Sequence, residues 1–160
     1  MEYDRFWNAD RLAKAEAIGL SPNEVSTLAS IVESETNKMD EAPKVAGMYL
    51  NRLKQGMLLQ ADPTLKFAIG DFTIRRVLNK DKAIESPYNT YKYPGLPPGP
   101  ISLPSIGGLN AVLNAEKHDY LYLCAKADFS GYHAFATNLA DHNKNARELH
   151  RALNKAKIYR

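Results

Sequence analysis

The chain has 160 residues, 44% of them apolar and 24% charged, with a formal net charge of +3 at neutral pH. That length suffices for one domain with its own core, and the composition is that of an ordinary globular protein. The small charge and the lack of a Lys/Arg block give no nucleic-acid footprint, and no apolar run reaches the roughly 20 residues that cross a bilayer. The opening "MEYDRFWNADR" carries no signal-peptide pattern. It reads as an expression start or as the middle of a longer chain. "NADRLAKAEAIGLS" predicts a helix stopped by Gly19. Ser21-Pro22-Asn23-Glu24 then places Ser at the N-cap, Pro at the first helical position and Glu three residues on, a capping box that opens a second helix. "DEAPKVAGMYLNRLKQGM" predicts a third, with Val45, Met48, Tyr49 and Leu53 on its apolar face and Gly56 at its end.

"LLQADPTLKFAIGDF" reads as strand-like ends around a turn at Asp62-Pro63, and "TIRRVL" as a short helix. Residues 86–105 hold most of the prolines; three tyrosines and two apolar anchors make this an ordered loop rather than a linker. "SIGGLNAVLN" predicts a short helix, "DYLYLCAKADFSGYHAFATN" a hairpin around "DFSG", and "ADHNKNARELHRALNKAKIYR" a terminal basic helix. The single cysteine, Cys124, excludes an internal disulfide and reads as a small buried apolar residue. Helices with separate small antiparallel hairpins give an α+β fold in one domain, residues 1–160.

The stretch "ASIVESET" poses the functional question, because it sets two acids two positions apart in a helix. At about 100° per residue over residues 25–39, Val25, Leu28, Val32, Glu35 and Met39 share one stripe. Glu33 falls opposite, with Ser26, Ser30 and Asn37. Glu35 therefore points to the apolar side. Desolvation there raises a carboxyl pKa, and the partial negative charge of the helix C-terminus acts in the same direction. An acid that keeps its proton near neutrality is what general acid catalysis requires. The plain alternative is a glutamate that snorkels or pairs with a cation such as Arg52.

Four stretches stand out together: "LASIVESET", "NRLKQGMLLQADPT", "SPYNTYKYPGLPPGPI" and "GYHAFATNLADHN". In order, spacing and contiguous residues ("NRL", "GM", "LQ", "DPT", "YNTY", "GLPPG") they resemble the catalytic domain of the endolytic murein transglycosylases, the MltG or YceG-like family. The resemblance runs from about Pro22 to Asn145. It implies lytic cleavage of nascent peptidoglycan strands with 1,6-anhydro-muramic ends, and no cofactor. It also implies envelope localisation outside the cytoplasmic membrane and partners in peptidoglycan synthesis. On the same resemblance the chain is the catalytic part of a longer, membrane-anchored protein, without the anchor and the LysM-like region. The catalytic glutamate of the family's "EKET"-like motif falls on Glu35, and Ser34 stands where lysine is common. The Glu33-Ser34 pair also resembles the Glu-Ser of other lytic transglycosylases, which keeps Glu33 as an alternative.

One acid suffices for lytic chemistry: it protonates the glycosidic oxygen and then takes the proton of the sugar's own 6-hydroxyl. A hydrolase would need a second carboxylate about 5–9.5 Å away. Asp62 is the candidate, although Asp before Pro also starts turns, and a structural or substrate-orienting role is the favoured one. "SPYNTY" offers the hydroxyls and amide of Tyr88, Asn89, Thr90 and Tyr91 to a sugar, in a groove of residues 51–64 and 88–91, and the resemblance favours that role for Tyr88 and Asn89; turn closure by Asn89 and Thr90 and packing of the tyrosines are the alternative. Gln60 is placed to reach the same groove. Arg52 is a candidate to orient Glu35 or to bind an acidic stem peptide, against a plain surface ion pair. His133 and Phe135 are groove candidates in the hairpin. The four histidines show no paired ligand spacing, so no metal is expected. A lysozyme-like hydrolase using Glu35 with Asp62, and a glycan-binding module without catalysis, are the rival readings.

Overall fold

A computed structural model describes residues 2–158; the last two residues of the expected terminal helix segment lie outside the described residues. Among the described residues, seven α-helices and one hairpin follow in the order α1 (Glu2–Phe6), α2 (Ala9–Ala17), α3 (Pro22–Glu35), α4 (Ala42–Gln55), α5 (Asp62–Ile69), α6 (Ile106–Leu113), β1 (Tyr122–Ala125), β2 (His133–Ala136) and α7 (Leu139–Lys155). The expected α+β class is the observed one. α3 is the central element. Ser21 caps it as the sequence indicates, accepting from the Glu24 backbone N–H while Glu24 accepts from the Ser21 N–H. Val25, Leu28, Ala29, Ile31 and Val32 are fully buried. Helices α2, α4, α5 and α6 pack around it.

The polar side of α3 is buried as well, which the helical wheel did not anticipate. Ser30 donates to the Thr27 carbonyl and accepts from the Ile101 N–H, so the proline-rich loop lies on this side. α6 follows it. The helix also ends earlier than expected, at Glu35, because Thr36 is extended (φ −140°, ψ 139°). Met39 is consequently outside the helix and half exposed.

Two local expectations are corrected. Asp62-Pro63 is the first turn of α5 rather than a turn between strands. Pro63 occupies a first-turn position, where its missing N–H costs nothing, and Gly70 closes the helix in the left-handed region (φ 86°). "TIRRVL" is not helical. The Asp71 side chain takes the N–H and hydroxyl of Thr73, a local turn that competes with helix, and Arg76 is held on Asn154 and the Ile158 carbonyl. The only regular turn in this region is a 3-10 turn at Asp81–Ala83. The hairpin is as expected, with Tyr122 opposite Ala136 and Ala125 opposite His133, but its loop spans residues 126–132 rather than four residues.

α4 carries the segment that feeds the hairpin. Glu116 N–H donates to the Pro43 carbonyl, the Asn51 amide donates to the carbonyls of His118 and Tyr120, and Arg52 Nε donates to the Leu121 carbonyl at 2.5 Å. The segment crosses α4 so closely that a Cβ on Gly47 would stand 2.2 Å from the Glu116 carbonyl oxygen. In an open helix Gly→Ala gains stability. Here we expect Gly47→Ala to lower it by about 1–3 kcal/mol through overpacking against backbone, as read by denaturant unfolding. A gain in stability would mean that the segment does not lie on α4.

Candidate active site

Glu35, the last residue of α3, stands at the wall of an open cavity of about 370 Å³ between α3, α4, α5, the hairpin and α7. Its side chain is 13% exposed. Burial is the main reason its carboxyl is raised from 4.5 to about 7; His133 opposes the shift, the Asp62 charge adds to it, and Lys66 and a hydrogen bond with Tyr49 oppose it. Tyr49 is itself buried, and its phenol is held above the ordinary range by burial and by the Glu35 and Asp62 charges. It remains a hydroxyl donor at any physiological pH.

A second acid fixes the histidine beside Glu35. Glu41, at the start of α4, accepts from the Thr36 hydroxyl at 3.0 Å and from the His133 N–H at 2.7 Å. The same carboxylate lies 2.9 Å from His133 Nδ1. Only an Nδ1 that carries a proton can donate to that carboxylate, so the other ring nitrogen, Nε2, is presented to Glu35, at 3.7 Å from Oε1. His133 and Glu41 are both buried.

Asp62 lines the cavity and accepts a hydrogen bond from the Tyr91 hydroxyl. Tyr91 is held there by its neighbours. Asn89 is fully buried; its amide donates to the carbonyls of Lys82 and Ile84, and its oxygen accepts from the Tyr91 N–H. Thr90 Oγ1 accepts from the Ala61 N–H and meets Thr64 Oγ1 at 2.8 Å, while the Thr90 carbonyl accepts from the Gln60 N–H. The side chains of Asn89 and Thr90 are thus consumed in clamping the 60–64 and 82–91 segments together. Tyr88 packs on Phe67, ring centres 4.7 Å apart, and does not line the cavity. In "YNTY", the groove residue is the last tyrosine, and Asn89 and Thr90 hold the segment that carries it.

The remaining sequence candidates divide. Gln60, with a left-handed backbone (φ 49°), is exposed and lines the cavity. Arg52 lines it too, but is only 5% exposed. Its guanidinium braces the carbonyls of Leu121 and Leu58, not a surface carboxylate and not Glu35. Glu33 lies away from the cavity: its carboxylate accepts from the N–H and hydroxyl of Ser105, the N-cap of α6. That is a stabilising place for a negative charge and an unsuitable one for a proton donor to substrate. Gly108 makes room for it, since a Cβ there would collide with the Glu33 carboxyl. Ser34, which the wheel turned away from the apolar stripe, lines the cavity. Phe135 packs with Tyr120 against the core and does not line the cavity. Cys124 is half-buried at the cavity wall, its thiol pushed up to about 11 by burial.

Glu41 and Tyr49 are the site residues that sequence reasoning missed, whereas Tyr91 stands in the cavity lining as one of the hydroxyls expected of the 88–91 stretch. Tyr49 was legible as buried but not as a hydroxyl aimed at Glu35. Glu41 carries no signal in the sequence, since nothing local points to a partner 92 residues away. Among the described residues no cluster of three His, Cys, Asp or Glu side chains is arranged to hold a metal ion. Nor is any helix among them long and apolar enough to cross a membrane.

The YceG-like family model matches residues 1–148. The endolytic murein transglycosylase of Bacillus subtilis (strain 168) is 43% identical over 125 residues, which cover 78% of this chain and 34% of that protein. The endolytic murein transglycosylase of Streptococcus pneumoniae serotype 2 is 38% identical over 133 residues, covering 81% of this chain and 24% of that protein. A crystal structure of a yceG-like protein from Listeria monocytogenes aligns with a TM-score of 0.75 at 39% identity, over 84% of this chain and 42% of that one. The chain spans about a third of the first of these curated relatives and about a quarter of the second. With most of its length matched by the family model, by relatives and by a solved fold, the chain belongs to the YceG-like family.

Proposed function

We propose that this domain cleaves murein glycan strands as a lytic transglycosylase, with Glu35 as the general acid and then the base. The observation that carries the reading is a buried carboxyl raised to about 7 at the wall of an open cavity. The names of the curated relatives supply the substrate class. Protonated Glu35 gives its proton to the glycosidic oxygen as the bond to the muramyl C1 breaks. The resulting carboxylate takes the proton of the same sugar's 6-hydroxyl as that oxygen bonds to C1. The product carries a 1,6-anhydro ring, no water is consumed, and Glu35 ends protonated as it began. The hydrogen bond of Asp62 to Tyr91 fits an orienting role, with its charge also raising Glu35. His133, fixed by Glu41, holds Glu35 down against burial and Asp62. Murein lies outside the cytoplasmic membrane, so we place the working domain there, on a strand supplied by peptidoglycan synthesis.

Mass spectrometry of murein strands digested by this chain is the direct test: anhydro-muramic ends are expected. Glu35→Gln should lower their yield by roughly 10²–10⁴-fold, and Glu33→Gln should leave it unchanged apart from any loss of folding. Reducing ends would instead indicate a hydrolase and recast Asp62 as its second carboxylate.

The pH dependence follows from the protonated form being the reactive one. We expect kcat/KM to fall as pH rises through about 7. His133→Gln should move that limb to higher pH, because His133 lowers the Glu35 pKa. Asp62→Asn should move it to lower pH, because Asp62 raises it. A limb that stays in place in both variants would mean that another group controls it.

The same shift has a consequence for stability. A carboxyl whose folded value exceeds its unfolded value makes the fold lose stability as pH rises between the two, here from 4.5 to about 7. The loss is about 3 kcal/mol, fully present above neutrality. Glu35→Gln removes it. We expect the variant to be more stable than the parent at pH 8 and to differ little at pH 4, as read by thermal unfolding.

A further inference from the structure

The cavity holding Glu35 also has a cationic wall. Lys66 of α5, Arg75 and Arg76 of the irregular segment, and Lys82 of the 3-10 turn all line it. Lys66, Arg76 and Lys82 are half-buried and Arg75 is exposed. Arg76 Nη1 donates to neutral oxygens, Asn154 Oδ1 at 2.6 Å and the Ile158 carbonyl at 3.3 Å. Lys82 Nζ lies 5.1 Å from the centre of the Tyr91 ring, the ring whose hydroxyl bonds Asp62. His150 of α7 faces the same wall; burial and the Arg76 and Lys82 charges hold its imidazole below the ordinary range. Among the described residues, none of the four cations forms an ion pair. Of the acids lining the cavity, Asp62 accepts from Tyr91, and Glu35 meets Tyr49, His133 and, through charge alone, Lys66, which leaves Arg75, Arg76 and Lys82 without an acid in the cavity.

Collecting like charges in a partly desolvated cavity is unfavourable unless an anion settles there, and such a wall draws anions in. We propose that it is a carboxylate subsite, which receives a carboxylate of the peptide attached to a muramyl residue or, where that peptide has been removed, the lactyl carboxylate that its amide bond had masked. This rests on the murein reading above and adds a specificity to it. A chitin-type strand of N-acetylglucosamine has the same backbone and no carboxylate, so the wall discriminates between the two.

The test is binding by isothermal titration calorimetry, with the Glu35→Gln chain so that ligands stay intact. Three ligands separate the sources: peptide-bearing murein oligomers, murein oligomers stripped of peptide, and neutral N-acetylglucosamine oligomers. The expected result is that both Arg75→Gln with Lys82→Gln and the exposed single change Arg75→Glu weaken at least one anionic ligand, by about tenfold for the double variant. Lys82→Arg should retain binding, and the neutral oligomer should be weak and indifferent to the changes. Loss with the stripped oligomer alone assigns the wall to the lactyl carboxylate, loss with the peptide-bearing one alone assigns it to the stem peptide, and loss with both shows that it takes either carboxylate. Equal weakening of the neutral oligomer, unchanged binding throughout, or no binding of either anionic ligand would overturn the proposal. Failure of the lytic reading itself is read separately, from the products of the parent chain.

Discussion

The burial of one carboxyl at the end of α3 is the constraint around which the rest is arranged. Taking a carboxylate out of water costs far more than keeping the acid protonated, so the fold chooses the proton. α3 can place an acid there because it is buried on nearly all sides and ends abruptly, with Thr36 extended and its hydroxyl bonded to Glu41. The stripe Val25, Leu28, Val32 continues into Glu35, and the same packing that stabilises the helix sets the acid's environment.

The groups around Glu35 pull in opposite directions. Burial and Asp62 raise it; His133, Lys66 and Tyr49 lower it. Left to burial alone, the carboxyl would hold its proton more firmly still. The Glu41–His133 contact supplies a fixed counterweight, since Glu41 binds both the ring and the backbone N–H of the same residue. Three separate parts of the chain thus meet at one acid: the α3–α4 junction, the hairpin and the start of α5.

Much of this was readable from sequence where local rules apply. The Ser21 capping box, the Gly56 stop and the hairpin are local, and the structure contains them. The wheel separated Glu35 from Glu33 by angle alone, and the two side chains do lie in different places, one at the cavity and one on the α6 N-cap. What sequence did not reveal was long-range. Asp-Pro reads equally as a turn or as a first helical turn, and only packing around Leu65 decides it. Asn89 and Thr90 have the hydroxyl and amide of sugar ligands, yet spend them on backbone 5–30 residues away. Arg52 reads as a partner for Glu35 or for an acidic stem peptide, but its guanidinium braces two carbonyls from within. Polar side chains report what they can bond, not which partner the fold supplies.

The measurement that bears most directly on this account is the titration of Glu35 itself, followed by carbon NMR of its side-chain carboxyl in the intact chain, with Glu35→Gln to assign the signal. A midpoint near 7 is the expected result, since burial outweighs the opposing charges. A midpoint near 4.5 would place Glu35 in water or in a firm ion pair, and would contradict its role as the acid.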